Sequence, residues 1–412
     1  MDQLQLFTAA LMLEDPWEVI DVKFLMDENQ KPTELHIYIS YPKGSKFLCQ
    51  EEGCGCECGV YDAEEKVWRH LNFFQYKTYI HAKLPRIECP EHGVKTYAVP
   101  WARPRSGFTL LFEAWVVELA KHMPVDTVAG IVDEHDTRLW RFIKHYVEEA
   151  RKLEDYSDVA AIGVDETSKK GHNYITVFVD HDERKVIYVT DGKDAETVDR
   201  FAEDLSAHSG DPDKIELVTC DMSLGFKAGL DKNFKNHTTI IDKFHVVKHC
   251  TDAVDKTRKE EVKTNEILRG TKYLWLKNEE NLSDRQKEKK ISLSKLNLKT
   301  SRAYAMKLEL QDIYTPGTHP NEAERRLKDL LSWMMHSRLN HMKEFAKMVR
   351  SHWDDIMNYF HYQYTNAILE GINSVIQMIK TRARGFRNPD YFKTMIYLVC
   401  GKLKLELVVA KF

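Results

Sequence analysis

Three carboxylates in this 412-residue chain stand in settings suited to metal chemistry. Asp165 closes the apolar run VAAIGVD (159–165) and Asp221 closes a second, IELVTCD (215–221). Glu370 lies in TNAILEGINSVIQMIKTRARGF (365–386), whose pattern is helical. Two acids at strand ends and one from a distant helix can converge on hard divalent cations, which prefer oxygen ligands. A pair of Mg2+ (or Mn2+) ions about 4 Å apart is the apparatus for in-line displacement at phosphorus: one activates the attacking oxygen, the other stabilises the leaving one.

A second constellation is softer. Cys49, Cys54, Cys56, Cys58 and Cys89 fall within one short stretch, and Cys89 opens CPEH (89–92), which brings His92 to metal-ligand spacing. A first knuckle from CQEEGC (49–54) or CGCEC (54–58) completes four sulfur and nitrogen donors. The preferred set is Cys49, Cys54, Cys89 and His92, with Cys56 or Cys58 as substitutes. Four closed ligands imply a structural zinc. The scattered Cys220, Cys250 and Cys400 read as packed thiols.

The acids need elements to position them. VAAIGVD, HNYITVFVD (172–180) and RKVIYVTD (184–191) read as a strand meander. A helix over 195–207 follows, then the strand ending at Asp221, a helix at 224–230 and a strand, TTIID (238–242), feeding a helix from about Phe244. That order is the order of a ribonuclease H-like α/β fold, in which the first and fourth strands are neighbours. Asp165 and Asp221 are then adjacent despite their separation in sequence. On the helix of Glu370, residues Asn366, Glu370, Asn373, Gln377, Lys380 and Arg384 fall in one narrow sector at 100° per residue, opposite Ile368, Ile372, Val375, Ile376 and Ile379. One face packs on the sheet; the other carries an acid among amides and cations.

Upstream, VWRHLNFFQYKTYIHAKLPRIEC (67–89) alternates β-branched and aromatic residues with Arg, Lys and His, as strands with one basic face do. The module is too small for a core without its metal. PWARPRSG (100–107) reads as a linker, followed by helices over 108–122, 125–135 (Asp126 as N-cap) and 136–153. A short helix, a tight turn and a longer helix bearing Arg138, Arg141, Lys144 and His145 suit a helix-turn-helix.

The net charge of −4 is unevenly spread. Lys66–Arg105 holds eight Lys/Arg against two acids, and Gln377–Lys404 seven against one, which points to nucleic acid. No signal peptide or membrane-spanning run is visible, so a cytoplasmic protein is expected, in a compartment where structural disulfides do not form. No G-x-x-x-x-G-K-[ST] loop and no Tyr or Ser within an Arg/His cluster is present, against nucleotide hydrolysis and against tyrosine or serine recombinases.

The strings CPEHGV, IGVDETS, DKFHVVKH, GTKYLWLKN, TNAILEGINSVIQMIK and ARGFRN, in one order from about Cys49 to Leu403, resemble bacterial insertion-sequence transposases of the ISL-three family. The resemblance implies a zinc ribbon, a helix-turn-helix and a DDE transposase core interrupted by a helical insertion. It carries the triad to Asp165 in IGVDETS, Asp221 in VTCDMS and Glu370 in AILEGIN. The first knuckle departs from the tighter Cys-Pro-x-Cys-like pair usual there. The organisation expected is an extension (1–45), a zinc ribbon (46–104), a helix-turn-helix (105–155), a ribonuclease H-like core (156–255), a helical insertion (256–355) and the rest of the core (356–412). In the insertion, Tyr273 and Trp275 either stack on bases or pack, and packing is the preferred reading.

The implied activity is binding of element ends, followed by metal-dependent cleavage and strand transfer on double-stranded DNA, by a homodimer or larger assembly at the bacterial nucleoid. His245, Asn366 and Asn373 are candidate supports around the acids. Arg138, Arg141, Lys144, Lys380 and Arg384 are candidate DNA contacts. The alternatives are a domesticated DNA-binding protein without catalysis and a ribonuclease H-like nuclease without strand transfer.

Overall fold

A computed structural model describes residues 2–168, 174–362 and 367–407. The chain forms two compact units: the first takes the residues up to Ala150 and those from Lys404 on, the second Arg151–Leu403.

The first unit begins with α1 (Gln3–Ala10) and strands β1 (Glu18–Met26), β2 (Pro32–Ser40), β3 (Lys46–Leu48), β4 (Glu57–Phe73), β5 (Tyr76–Cys89) and β6 (Gly93–Thr96). One sheet holds them all in the order β1-β2-β5-β4-β3, with β6 on β5. The strand expected at HIYISY is the second half of β2, where Leu35, Ile37 and Ile39 alternate inward. β2 pairs in parallel with β5. Within the stretch expected as an extension, β1 and β2 join the sheet of the cysteine-bearing hairpin. The module consequently has an apolar core, built on Trp17, Leu35, Ile37, Trp68 and Ile80, and is not held by metal alone.

The uniform basic face also needs correction. Arg69 is buried, its guanidinium between the rings of Tyr79 (5.6 Å) and Phe112 (5.3 Å). Arg86 pairs with Asp62 through both oxygens, and Lys77 with Asp133. The acids that neutralise these strands lie outside the window that reads as basic.

Three helices follow: α2 (Leu110–His122), α3 (Val125–Val132) and α4 (Asp136–Lys152). Thr109 caps α2 by accepting from the Phe112 amide. α3 starts after Pro124 with no side-chain cap, so Asp126 lies inside its first turn instead of capping it. The turn into α4 places Asp133 at φ 51°, the left-handed region that Asp tolerates better than most residues.

The second unit contains β7 (Ala161–Ser168), β8 (Tyr174–Asp180), β9 (Lys185–Asp191), α5 (Ala195–Ala207), β10 (Leu217–Cys220), α6 (Leu224–Asn233), β11 (Thr238–Ile241) and α7 (Lys243–Val262). The sheet order is β11-β10-β7-β8-β9, with β7–β8–β9 an antiparallel meander and β10 parallel to both β7 and β11. On one face Ile162, Val164, Phe178, Ile187 and Val218 pack against Val198, Phe201 and Leu205 of α5 and Phe226 and Leu230 of α6. Phe178 stacks on Phe201 at 4.2 Å.

From α7 the chain continues through α8 (Lys272–Leu276), α9 (Asp284–Ser294), α10 (Lys299–Ile313), α11 (Pro320–His336), α12 (Asn340–Ser351) and α13 (Trp353–Tyr362). These helices share one apolar core that includes Val254, Trp275, Met306, Leu327, Met342 and Ile356. Trp275 is fully buried, as its packing role requires, whereas Tyr273 is exposed between Lys272 and Lys277. Finally α14 (Ala367–Arg382) and α15 (Pro389–Cys400) return to the sheet. The hydroxyl oxygen of Tyr397 in α15 accepts from the Val189 amide of β9 at 2.8 Å and from Arg151 at 2.6 Å.

Candidate functional site

The pleat of β7 sorts its residues onto two faces. Ile162 and Val164 face α5, while Gly163, Asp165 and Thr167 share the opposite face. The register Leu217↔Ala161, Val218↔Ile162, Thr219↔Gly163, carried two residues further, sets Asp221 level with Asp165. An offset of 56 residues in sequence thus becomes adjacency across one strand pair.

α14 lies along that face. Leu369 meets β7 at Gly163, where an added Cβ would clash with the leucine's Cδ1 and force that side chain to shift. Asn373 Nδ2 donates to Asp165 Oδ2 at 2.5 Å, and Gln377 Nε2 to Thr167 Oγ1 at 2.7 Å. Glu370 stands one turn before Asn373 on the same stripe and is exposed. Ile376 and Ile379 are buried on the other side, as the periodicity requires. Asn366 lies outside the described residues. Arg384 does not continue the stripe: α14 ends at Arg382, and Arg384 adopts φ 52° beyond it. Among the described residues, Asp165, Asp221 and Glu370 do not form a cluster whose ligand atoms all lie within 4.8 Å of one another.

The electrostatics around the acids are those of crowded like charges. Burial raises the Asp165 pKa and the Asp221 charge adds to that, against the opposing pull of His245, the Glu166 amide and Asn373. Asp165 Oδ1 accepts from the Glu166 amide at 2.7 Å, and Asp221 Oδ1 from the Ser223 amide at 2.9 Å. His245 sits in the first turn of α7, shortly after β11 and the Asp242 cap.

The cysteine cluster closes more tightly. Cys49, Cys54, Cys89 and His92 each bring a ligand atom within 4.8 Å of the others. Cys54 Sγ and Cys89 Sγ are 3.7 Å apart, Cys89 Sγ and His92 Nδ1 3.6 Å, and Cys49 Sγ and His92 Nδ1 3.8 Å. A zinc tetrahedron has edges of roughly 3.6–3.8 Å between such donors, so the set fits zinc. Two turns build it: the Cys49 amide donates to Cys56 O at 2.9 Å, and Cys89 pairs with Gly93 at the start of β6. Gly53 (φ 76°) and Gly93 (φ 70°) supply left-handed backbone at both turns. Cys58 lies outside the four; it is buried, which pushes its thiol up to about 11, and it lies 3.5 Å from Cys56 O. Cys56 groups instead with Cys54 and Glu91.

In the three-helix segment, Arg141 is exposed on α4, and Lys144 pairs with Glu148 at 3.5 Å. Arg138 is also exposed, and it pairs with Glu134 with its guanidinium 4.4 Å from the Phe108 ring centroid.

Residues 162–396 match the family model described as transposase, specifically the DDE transposase of the ISL3 type. The chain belongs to the ISL3 transposase family. Residues 98–147 of this transposase match the helix-turn-helix domain of the same family, and residues 52–92 match the zinc finger of the IS204/IS1001/IS1096/IS1165 transposases. The zinc-finger match starts after Cys49. The chain is 25% identical over 426 residues to the transposase for insertion sequence element IS1557 of Mycobacterium tuberculosis, covering 95% of this chain and 94% of that protein. It is 24% identical over 369 residues to the transposase for IS1001 of Bordetella parapertussis, covering 87% and 89%. It is thus an enzyme acting on DNA, with a DNA-binding helix-turn-helix. No helix among the described residues of the transposase is long and apolar enough to cross a membrane.

Two titratable groups near the acids of the transposase, Glu166 and His249, escape the sequence reading. Glu166 is raised by burial and then by the charges of Asp221 and Asp165, with Lys193 and Lys248 opposing. His249 is lowered by burial and feels both His245 and Asp221. The signal was present: His245, Lys248 and His249 have the i, i+3, i+4 spacing of one helix face. Glu166 follows Asp165 directly, and the strand pattern placed it on the opposite face.

Proposed function

We propose that this transposase cuts and joins DNA by metal-dependent phosphoryl transfer in a ribonuclease H-like core, with Asp165, Asp221 and Glu370 as its three acids. The observation that carries the reading is the level placement of Asp165 and Asp221 on neighbouring strands, with Asn373 of the Glu370 helix bonded to Asp165. The donors fit a hard cation: they are carboxylate oxygens, and the buried Asp165 charge is crowded by Asp221 without enough positive charge to bring it back to its ordinary range. Two Mg2+ or Mn2+ ions bound there would supply Lewis-acid activation of the attacking hydroxyl and stabilisation of the leaving 3′-oxygen.

The chain's own residues prepare that site. The Glu166 amide and Asn373 occupy one oxygen each of Asp165 and fix its plane. Asp221 is held by the Ser223 amide. Lys248 brings positive charge from one face of α7 to the scissile phosphate, with His245 and His249 beside it as hydrogen-bonding groups, and Lys380 of α14 holds the DNA backbone. Water is the nucleophile for cleavage and a DNA 3′-hydroxyl for joining, so no covalent protein–DNA intermediate is required. Cys49, Cys54, Cys89 and His92 hold a structural zinc. Arg141 and Lys144 bind DNA from the helix-turn-helix, with Arg138 as their support. Two element ends must be cut in concert, so a homodimer or larger assembly acts on the nucleoid in the bacterial cytoplasm.

The test is incubation of the protein with Mg2+, labelled element ends and a target plasmid. The wild type gives cleaved and joined products, and Asp221→Asn binds the ends without cutting them. Cleavage without joining means a nuclease, and binding without cleavage by the wild type means a DNA-binding protein only.

A further inference from the structure

The PWARPRSG segment is not a loose linker. The Gly107 carbonyl accepts from the Arg69 amide and the Thr109 amide donates to the Arg69 carbonyl, fastening the segment to β4. On its other side Arg103 makes two 2.8 Å bonds to Glu113, whose carboxylate is fully buried. Ser106 Oγ (2.7 Å) and Tyr146 OH (2.8 Å) donate to the same carboxylate. One buried acid therefore locks the segment, α2 and α4 together, and that acid is neutralised by Arg103.

Between this strap and α4 lies a cleft of about 430 Å³. Phe108 and Phe142 line it, in edge-to-face contact at 5.4 Å, together with Arg105, Arg138 and Arg141. Arg138 is spent on Glu134 and Phe108. Among the described residues, Arg105 and Arg141 have no acid within ion-pair distance. Arg105 also adopts φ 61°, a left-handed conformation that a non-glycine residue holds only where its surroundings enforce it. The cleft thus presents two unneutralised guanidinium groups on a rigid wall, with Glu113, the acid that lines it, already consumed.

We infer that this cleft is a seat for a backbone phosphate of duplex DNA, with Arg105 of the strap and Arg141 of α4 closing on it from two sides. Guanidinium suits phosphate oxygens because it can donate two parallel bonds. The seat gives the helix-turn-helix its register on the duplex, since phosphate contacts position a protein without reading sequence. This rests on the family's assignment of the segment as DNA-binding and adds a residue, Arg105, that lies before the three helices.

The full-length protein, Arg105→Ala, Arg141→Ala and a control, Lys121→Ala, are titrated against a duplex of the element end and against a random duplex, over a range of salt. Zinc content and circular dichroism check that each is folded. The expected result is about a tenfold loss of affinity for Arg105→Ala and for Arg141→Ala, equal on both duplexes. The slope of log affinity against log salt should fall by about 0.9 for each lost phosphate contact. Lys121→Ala should match the wild type. Unchanged affinity and slope in the two arginine variants overturns the seat. So does a loss confined to the element-end duplex with the slope preserved, which is the signature of a base contact. If the wild type binds neither duplex, the DNA-binding reading itself fails, and the seat with it.

Discussion

Asn373 is a side chain whose change should separate catalysis from binding. Its amide bonds Asp165 and holds the helix of Glu370 against the strand of the first acid. Asn373→Leu keeps the volume and removes the bond. The expected outcome is a 10- to 100-fold loss of Mg2+-dependent cleavage, about the size seen when supporting bonds to metal ligands are removed, with DNA binding unchanged. Titrating Mn2+ in the cleavage assay should show the half-saturating concentration rising for this variant. At the zinc cluster, Cys54→Ser should lower zinc content and destabilise the first unit, whereas Cys58→Ser should retain one zinc per chain by metal analysis. The sequence pointed to both constellations because acids at the ends of apolar runs and paired cysteine knuckles are local patterns. It left the choice among five cysteines open, since that depends on how two turns close in space. It missed Glu166 because a period-2 reading assigns it to the far face and says nothing of charge reaching around a strand end.

At the scale of elements, the contact between α14 and β7 decides whether Glu370 reaches its partners. Gly163 is the point of closest approach, and an added Cβ meets Leu369 Cδ1 at 2.1 Å, His181 Nε2 at 3.0 Å and Thr219 Oγ1 at 3.2 Å. Gly163→Ala should therefore cost about 1–3 kcal/mol of stability, the usual range for overpacking, and depress cleavage by displacing the helix. The double variant Gly163→Ala/Leu369→Ala should recover part of the stability in chemical denaturation; no recovery would mean the clash lies elsewhere. The strands and the polar stripe of α14 follow from apolar runs and helical period, and the neighbouring of the first and fourth strands from the order of the elements, so they were legible. The extent of the stripe was not, because the helix stops at Arg382, and a wheel drawn past that point carries Arg384 onto a face it does not occupy. Likewise the sheet of the first unit could not be read from residues 46–104 alone, since β2 joins it by a parallel pairing across a gap of some forty residues.

At the scale of the whole molecule, each unit carries a histidine that should make it sensitive to acid. His70 in the first unit is held neutral by burial, then by Arg69, with its pKa lowered to about 4. His181 in the second is lowered to about 4, mainly by burial, and its Nε2 lies 2.7 Å from Thr219 Oγ1. The unfolded chain protonates both near 6.5, while the folded units resist until about 4. Their contribution is complete above pH 6.5 and is lost as the pH falls toward 4, up to about 3 kcal/mol for each histidine. Asp165 and Glu166 act in the opposite sense, because their raised pKa values favour the folded state once protonated. Comparing wild type with His181→Gln in chemical denaturation at pH 7 and pH 4.5 isolates the histidine; the variant should lose less stability between the two.

The account turns on three acids, two fixed by strand register and one delivered by a helix that returns after the long helical segment. The most direct measurement is the anomalous scattering of Mn2+ in crystals of the protein bound to an element-end duplex. The expected result is manganese between the carboxylates of Asp165 and Asp221, with Glu370 completing the ligand set beside the scissile phosphate. Manganese bound elsewhere, or bound there without Glu370, would contradict the assignment of the triad.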